Sequence, residues 1–170
     1  QCQNRLHEWG DSNQVCFDPE KESTHILYKT APMGQTFRIL GVLFDCRLLM
    51  REAAKEVACE AARRVRVVLR ARRFLSRAHL VGMYKCQVMS FIEYRTAAVY
   101  HCDGWTVARL DRVQDEFLHE LGVSEADAVE DWNLLPLRAR RDVAMLGLIW
   151  RTAHGLGPPQ FKSFFRLKSA

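Results

Sequence analysis

The sequence predicts a mainly α-helical chain, with one or more short N-terminal β-hairpins followed by a bundle of about four helices. Before residue 46, short apolar segments alternate with Pro and Gly turn signals, as in hairpins. Residues 47–73 contain neither Gly nor Pro and are rich in Ala, Leu, Arg and Glu, which favour helices. With 48% hydrophobic and 26% charged residues among 170, the composition is that of a chain that can bury a core.

The N-terminal segment contains few predicted strands. Its elements, in chain order, are the end of a helix at 6–9, strands at 14–17 and 24–28, and a strand pair or bent strand at 37–44. Gly41 interrupts the last of these, and such a glycine marks a turn, a bulge or the close approach of another backbone. So few strands form no stable sheet alone, and the chain starts at Gln1 rather than Met, so we expect further sequence upstream.

Helices are predicted for the remainder of the chain. They span 47–73, 76–100, 106–121 and 136–154. Ser76 suits the N-cap of the second helix, Asp103 and Gly104 separate the second from the third, and Gly122 ends the third. The chain therefore divides into a β part, 1–46, and a helical part, 47–170.

Several functional classes have no support in the sequence. The six cysteines lie far apart without a CxxC pair, which is typical of reduced thiols in an intracellular protein. The six histidines form no HxxxH or HExxH pattern, and neither a P-loop nor a GxGxxG motif occurs. No run of about 18 apolar residues occurs. We therefore expect no metal site, no cofactor and no membrane span in this chain.

Charge is segregated along the chain, which has a net charge of +5. Residues 61–92 contain eight basic residues and no acidic one, whereas residues 103–131 contain nine acidic residues and two arginines. Such a distribution predicts one basic and one acidic surface, and a polyanion is the natural partner of the basic surface.

Within the basic segment, five arginines repeat at helical spacing, and we call them the arginine stripe. They are Arg63, Arg66, Arg70, Arg73 and Arg77. On one continuous helix they would fall within an arc of about 80° and extend over about 21 Å. Because guanidinium groups bind phosphate bidentately, the arginine stripe predicts contact with a nucleic-acid backbone. The alternative is a solvated helix face whose arginines pair with the acidic segment of the same molecule.

The order of motifs along nearly all 170 residues resembles one protein family. The motifs are Leu6…Trp9…Val15-Cys16-Phe17…Lys21, Phe37-Arg38-Ile39-Leu40-Gly41-Val42…Asp45…Leu48, Leu80…Met83-Tyr84…Val88…Ser90…Ile92-Glu93-Tyr94-Arg95, Leu110-Asp111…Val113-Gln114…Leu118…Leu121-Gly122, Leu134-Leu135-Pro136-Leu137…Arg140-Arg141-Asp142 and Gly155…Pro158…Phe161…Phe164-Phe165. In this order they resemble the end of the reverse transcriptase domain, and the region that follows it, in non-LTR (LINE-type) retrotransposon polyproteins.

The resemblance implies a role for each part of the chain. Residues 1–46 would be the end of the polymerase palm, with a primer-grip hairpin in which Leu40 and Gly41 hold the primer 3′ end. Residues 47–170 would be the thumb and the helical region after it, gripping the template–primer duplex through the arginine stripe. Lys21 would match the lysine thought to act as general acid on the departing pyrophosphate, although Glu22 stands where the family usually has Thr.

The resemblance also implies what this chain lacks. The carboxylates of the family's YxDD motif, the earlier aspartate and the template-binding fingers do not occur in these residues, and two-metal phosphoryl transfer requires the carboxylates. Mg²⁺ is implied for the complete polymerase, whose N-terminal part would be a partner of this chain. We therefore expect the chain alone to bind RNA or an RNA–DNA duplex without polymerase activity, in the nucleus or the cytoplasm.

A different function class is also compatible with the sequence. In this alternative the chain is a non-enzymatic helical interaction module that binds nucleic acid or protein. Its acidic third helix and the apolar stretch 136–148 would dock a protein partner, and internal salt bridges would neutralise the arginine stripe. The direction in which the acids of the third helix point separates the two hypotheses.

Overall fold

In the computed structural model, which describes residues 2–31 and 35–164, a two-stranded hairpin packs against α-helices. The strands are β1 (Thr36–Ile39) and β2 (Val42–Asp45). The helices are α1 (Cys2–Ser12), α2 (Arg51–Arg70), α3 (Arg77–Tyr84), α4 (Ser90–Glu93), α5 (Thr96–Val99), α6 (Gly104–Leu121), α7 (Glu125–Trp132) and α8 (Leu137–Ala153). The predicted fold class, mainly α with a short hairpin before the helices, is confirmed.

The hairpin is the strand pair predicted at 37–44. β1 pairs antiparallel with β2, with Thr36 opposite Asp45. The rings of Phe37 and Phe44 stack across the two strands with their centroids 5.6 Å apart. β2 packs against the helical core through three consecutive side chains, from Val42 to Phe44. The hairpin therefore belongs to the same packed unit as the helices.

The prediction of two strands before the hairpin is wrong. Residues 14–17 and 24–28 pair with no strand in the described part of the chain. Their amides use other acceptors: Val15 donates to the Gly10 carbonyl at the end of α1 (2.9 Å), and Tyr28 donates to the Cys46 carbonyl after β2 (3.1 Å). The segment 24–28 lies beside the hairpin, with the His25 ring stacked on that of Phe37 at 4.2 Å, but no ladder of backbone hydrogen bonds joins the two, so it is not a strand.

Asp45 organises the connection from the hairpin to α2. Its Oδ1 accepts hydrogen bonds from the amides of Arg47 (3.0 Å) and Leu49 (3.1 Å), and its Oδ2 accepts one from the amide of Met50 (2.7 Å). These bonds hold Met50 in the left-handed region with φ 56°. α2 therefore begins at Arg51, four residues after the predicted start at 47.

The apolar core lies between α2, the α3–α5 segment and α6. The buried rings of Tyr84 and Phe117 stack with their centroids 4.3 Å apart. The Tyr84 hydroxyl donates to Oε1 of the buried Gln114 (3.3 Å), and Gln114 Nε2 donates to the Leu135 carbonyl (3.1 Å). Burial raises the pKa of Tyr84 above its ordinary value. The core thus contains a hydrogen-bonded polar chain that joins α3, α6 and the segment before α8.

The helix predicted at 76–100 is present but interrupted. Ser76 is its N-cap as predicted, since its side chain accepts a hydrogen bond from the His79 amide. A π-helical turn, Lys85–Met89, separates α3 from α4. Within that turn, the Gln87 carbonyl accepts a hydrogen bond from Arg64 Nη1 on α2 (3.0 Å). The helical backbone continues through this turn into α4, and it is broken at Tyr94–Arg95, before α5.

The sequence prediction missed α7. Ser124 is its N-cap and accepts a hydrogen bond from the Asp127 amide (3.1 Å). The Ser124 hydroxyl also donates to Asp127 Oδ2 (2.7 Å). Asn133 ends the helix with φ 50°. The Ser-x-x-Asp spacing at 124–127 is a helix-start signal that is visible in the sequence.

A buried ion pair fastens α8 to α6. The side chain of Arg141 is only 6% exposed and binds Asp111 bidentately, with Nη1–Oδ1 and Nη2–Oδ2 distances of 2.8 and 3.0 Å. Loss of one partner would leave the other charge poorly solvated.

We expect Asp111→Ala to lower the free energy of unfolding by about 3 kcal/mol, because it leaves the Arg141 guanidinium buried without a counter-charge. Urea denaturation followed by circular dichroism measures the change. Glu120→Ala is the matched control, because it removes the exposed Arg72–Glu120 pair and should cost less than about 1 kcal/mol. Equal losses in the two variants would contradict a structural role for the buried pair.

Candidate nucleic-acid interface

The arginine stripe lies on two helices. α2 ends at Arg70, Arg73 ends a 3₁₀ turn (Ala71–Arg73), and Arg77 begins α3. The helical backbone predicted through 73 therefore continues to that residue, with its last turn 3₁₀ instead of α. The cap residue Ser76 adopts an extended backbone with ψ 162°, which forces the helix to stop before it.

All five stripe arginines are nevertheless exposed. The regular helical spacing applies to the three on α2, and the other two continue the basic surface across the turn.

Most of the stripe lacks an acidic partner. Arg63 binds Glu60 bidentately, with two N–O distances of 2.7 Å. Within residues 2–31 and 35–164, the other four stripe arginines form no ion pair. Glu60 lies just before the acid-free segment 61–92 and was therefore overlooked by the sequence analysis.

Two arginines beside the stripe contact neighbouring helices. Arg64 Nε binds Glu60 (2.9 Å), and its guanidinium lies 4.0 Å from the centroid of the Phe91 ring. Arg72 Nη1 binds Glu120 of α6 (2.9 Å). These two side chains join α2 and the following turn to α4 and α6. They are therefore less available for a ligand than the unpaired arginines.

A cleft of about 940 Å³ separates the end of α2 from α6. Arg66, Arg70 and Arg73 line it on one side, and Asp115 and Glu116 line it on the α6 side. The acids of the third predicted helix thus share a cleft with the arginine stripe without pairing with it. Burial, and then the negative charges of neighbouring carboxylates, raise the pKa of Asp115 above its ordinary value.

Other acids of α6 and its N-cap have partners elsewhere. Asp103 caps α6 through the Thr106 amide (2.9 Å) and also binds Arg51 Nε (2.9 Å). These hydrogen bonds lower the pKa of Asp103. Asp111 binds Arg141 as described above, so neither acid neutralises the stripe.

The predicted primer-grip residues form the two-residue turn of the hairpin. Leu40 has φ 49° and Gly41 has φ 77°, so both occupy the left-handed region that a type I′ turn requires. The sequence predicted a turn, a bulge or the close approach of another backbone at Gly41, and the structure shows a turn. The Leu40 side chain is 83% exposed, and its carbonyl accepts a hydrogen bond from the Tyr94 hydroxyl (3.1 Å). Arg38 also binds Glu56 of α2 bidentately, at 3.0 and 2.9 Å.

Lys21 ends a 3₁₀ turn, Pro19–Lys21, that precedes the hairpin in the chain. Its ammonium binds Asp18 (3.0 Å), and its side chain is 84% exposed. The pocket beside it is lined by residues of α1 and of the segment 17–24. A role for Lys21 as general acid stays a prediction.

Among the described residues, no group of three or more His, Cys, Asp or Glu side chains could hold a metal ion. None of the helices in the described ranges has the length and apolar character needed to cross a membrane.

No protein-family model, curated protein or solved structure significantly matches the chain. The similarity of its motifs to the reverse transcriptase domain therefore stays a prediction.

The charge cluster around Glu60 predicts a pH effect. Hydrogen bonds from Arg63 and Arg64 lower the pKa of Glu60 from 4.5 to about 2. Because the folded-state pKa is lowered, the stabilisation by this carboxylate is present above pH 4.5 and is lost as the pH falls toward 2. We expect Arg63→Gln to raise the pKa of Glu60, measured by NMR titration of its side-chain carboxyl carbon. Arg38→Gln, which removes a partner of Glu56, should leave it unchanged.

The hairpin turn predicts two opposite changes in stability. Leu40→Asn should raise the free energy of unfolding by about 1 kcal/mol, because Asn tolerates positive φ better than Leu does. Gly41→Ala should lower it by about 1 kcal/mol, because its φ of 77° disfavours any residue with a Cβ. Thermal unfolding measures both. Gly82→Ala within α3, where an added Cβ meets no described atom within 4 Å, should instead be stabilising.

Proposed function

We propose that this chain is the primer-grip and thumb part of an RNA-directed DNA polymerase of the non-LTR retrotransposon type. In this proposal the arginine stripe binds the phosphate backbone of RNA or of an RNA–DNA duplex. The observation that carries the proposal is a set of exposed arginines, at the end of α2 and the start of α3, that lack ion-pair partners among the described residues. They are Arg66, Arg70, Arg73 and Arg77.

The charge pattern of α2 supports a ligand at this end of the helix. In its first half, exposed charges pair within the protein: Lys55 binds Glu52 (2.6 Å), and Glu56 binds Arg38 (2.9 Å). Beyond Arg63, the exposed stripe arginines repel one another and form no ion pair among the described residues. Phosphate groups along a nucleic-acid strand would relieve this repulsion through charge-assisted hydrogen bonds.

The acidic wall of the cleft restricts where the strand can lie. Asp115 and Glu116 would repel phosphates, so the strand keeps to the arginine side of the cleft, along the surface of α2 and the turn after it, and does not reach the α6 side. Contacts from arginine to phosphate carry no base information, so we expect binding that depends on backbone and shape more than on sequence.

The hairpin and Lys21 would act at the primer end of the same ligand. The bidentate Arg38–Glu56 pair holds β1 against α2, which also carries the first three stripe arginines. This connection supports a common duplex site for the hairpin turn and the stripe. The exposed ammonium of Lys21 would donate a proton to the departing pyrophosphate. The chain alone is expected to transfer no nucleotide, because the metal-binding carboxylates of the family's YxDD motif do not occur in these residues.

A second candidate function, docking of a protein partner, is favoured by the outer face of α8. Val143, Leu146 and Trp150 lie on this face and are 67%, 64% and 56% exposed. The opposite face of α8 contributes the buried Leu137 and Arg141. Replacement of Leu146 and Trp150 by Asp should abolish such docking and leave nucleic-acid binding unchanged, whereas loss of stripe arginines should do the reverse.

Replacement of Arg66, Arg70 and Arg73 by Ala tests the proposed function. We expect affinity for a labelled RNA–DNA hybrid to fall about tenfold to a hundredfold for all sequences alike, because charge-assisted phosphate contacts are lost. The slope of log K against log salt should flatten by about two to three units. Fluorescence anisotropy at about 50 and about 200 mM salt measures both quantities.

The matched control is Arg5, Arg112 and Arg151 replaced by Ala, since these exposed arginines lie outside the stripe and their removal changes the net charge equally. The control should retain most of the affinity. If both triple variants bind equally well, attraction is by overall charge and the stripe is not the site. If the unaltered chain binds no hybrid at about 50 mM salt, the proposed function is wrong.

A further inference from the structure

The side chain of Phe74 is exposed to solvent at the turn between α2 and α3. It is 86% exposed, and its ring stacks with no other described aromatic ring. A single exposed apolar side chain is ordinary on a protein surface. The position of Phe74 is unusual because it follows Arg72 and Arg73 directly and lines the same cleft as Arg66 and Arg70.

The backbone around Phe74 is fixed on both sides. The Phe74 amide donates to the Ala71 carbonyl (2.9 Å), and the Leu75 amide donates to the same oxygen (3.1 Å). Ser76 then caps α3. The ring is therefore presented by a defined turn between two helices, which lowers the entropy lost when a ligand stacks on it.

The surrounding charge indicates the kind of ligand. No acidic residue occurs between residues 61 and 92, and four stripe arginines near Phe74 in sequence have no ion-pair partner in the described chain. The acids that line the same cleft, Asp115, Glu116 and Glu120, all belong to α6. An exposed aromatic ring between arginines fits a ligand that has both a flat apolar surface and phosphates. A nucleotide strand has both, and stacking of bases on aromatic side chains is a common mode of single-strand recognition.

We propose that Phe74 stacks on an unpaired base of the strand held by the arginine stripe. This inference rests on the proposed function and narrows its ligand. A base inside a duplex is already stacked on both faces, so Phe74 can reach only a base at a duplex end or in a single-stranded extension. The preferred ligand is then a duplex that continues into a single strand, with the duplex on α2 and the unpaired base at the turn before α3.

Binding of two RNA–DNA hybrids by the full chain tests the inference. One hybrid has blunt ends, and the other carries a single-stranded extension with 2-aminopurine at its first unpaired position. We expect Phe74→Ala to weaken binding of the extended hybrid about tenfold and to leave binding of the blunt hybrid nearly unchanged. The unaltered chain should quench 2-aminopurine fluorescence, and Phe74→Ala should not.

Two further variants separate stacking from other effects. Phe74→Leu keeps an apolar side chain and should behave like Phe74→Ala, whereas Phe74→Trp should keep the preference for the extended hybrid. Phe164→Ala is the matched control, since it removes a 76% exposed Phe outside the stripe. Circular dichroism should show equal helix content in all variants.

The outcomes distinguish failure of this inference from failure of the proposed function. If Phe74→Ala binds the extended hybrid as the unaltered chain does while the stripe variant loses binding, the base-stacking role is wrong and the proposed function stands. If the unaltered chain binds neither hybrid, both are wrong. Equal quenching in the unaltered chain and in Phe74→Ala would also overturn the stacking role.

Discussion

The packing of α2 determines which of its side chains can meet a ligand. Its buried face consists of small apolar side chains, which allow close approach to α6 and to the stacked Tyr84–Phe117 pair. They are Ala53, Ala54, Val57, Ala61, Val65 and Val68. Because this face is fixed against the core, the remaining face must point to solvent along the whole helix. The internal ion pairs of the first half and the unpaired arginines of the second half both lie on that outer face. This helix–helix contact thus determines which charges of α2 are exposed, and the position of Glu52, Glu56 and Glu60 before Arg63 determines which of them are paired.

Features set by neighbours in sequence could be predicted, and features set by distant contacts could not. The absence of Gly and Pro, the capping residues and the glycine of the hairpin turn are local signals, and they located the main helices and the strand pair. The predicted strands at 14–17 and 24–28 failed because strand formation depends on a partner elsewhere in the chain. Some local signals were also missed. α2 starts late because the carboxylate of Asp45, which lies only two to five residues earlier in the chain, accepts hydrogen bonds from the amides of Arg47, Leu49 and Met50. α7 was missed although its cap was visible.

The same distinction applies to the candidate site. Helical spacing indicated that the stripe is exposed, and the predicted N-cap at Ser76 already placed Arg77 on a second helix. The pairing of Arg63 with Glu60 could have been predicted from the sequence, since the two residues lie three positions apart on α2. The position of Asp115 and Glu116 opposite the stripe could not be predicted from the sequence, because it depends on the packing of α2 against α6. The contacts of Arg64 and Arg72 arise from that packing as well.

The π-helical turn at Lys85–Met89 keeps a strict four-residue repeat on one face of an interrupted helix. Buried positions recur at every fourth residue from Leu80 through Tyr84, Val88 and Ile92 to Thr96. In a regular α-helix each such step rotates about 40° beyond a full turn, so the last position would point roughly 160° away from the first. The π-helical turn has more residues per turn than an α-helix, so it cancels part of this rotation. The number of residues in this segment therefore determines which side chains face the core. An insertion or deletion between Tyr84 and Ile92 would rotate the residues after it away from α2, even if every inserted or remaining side chain were apolar.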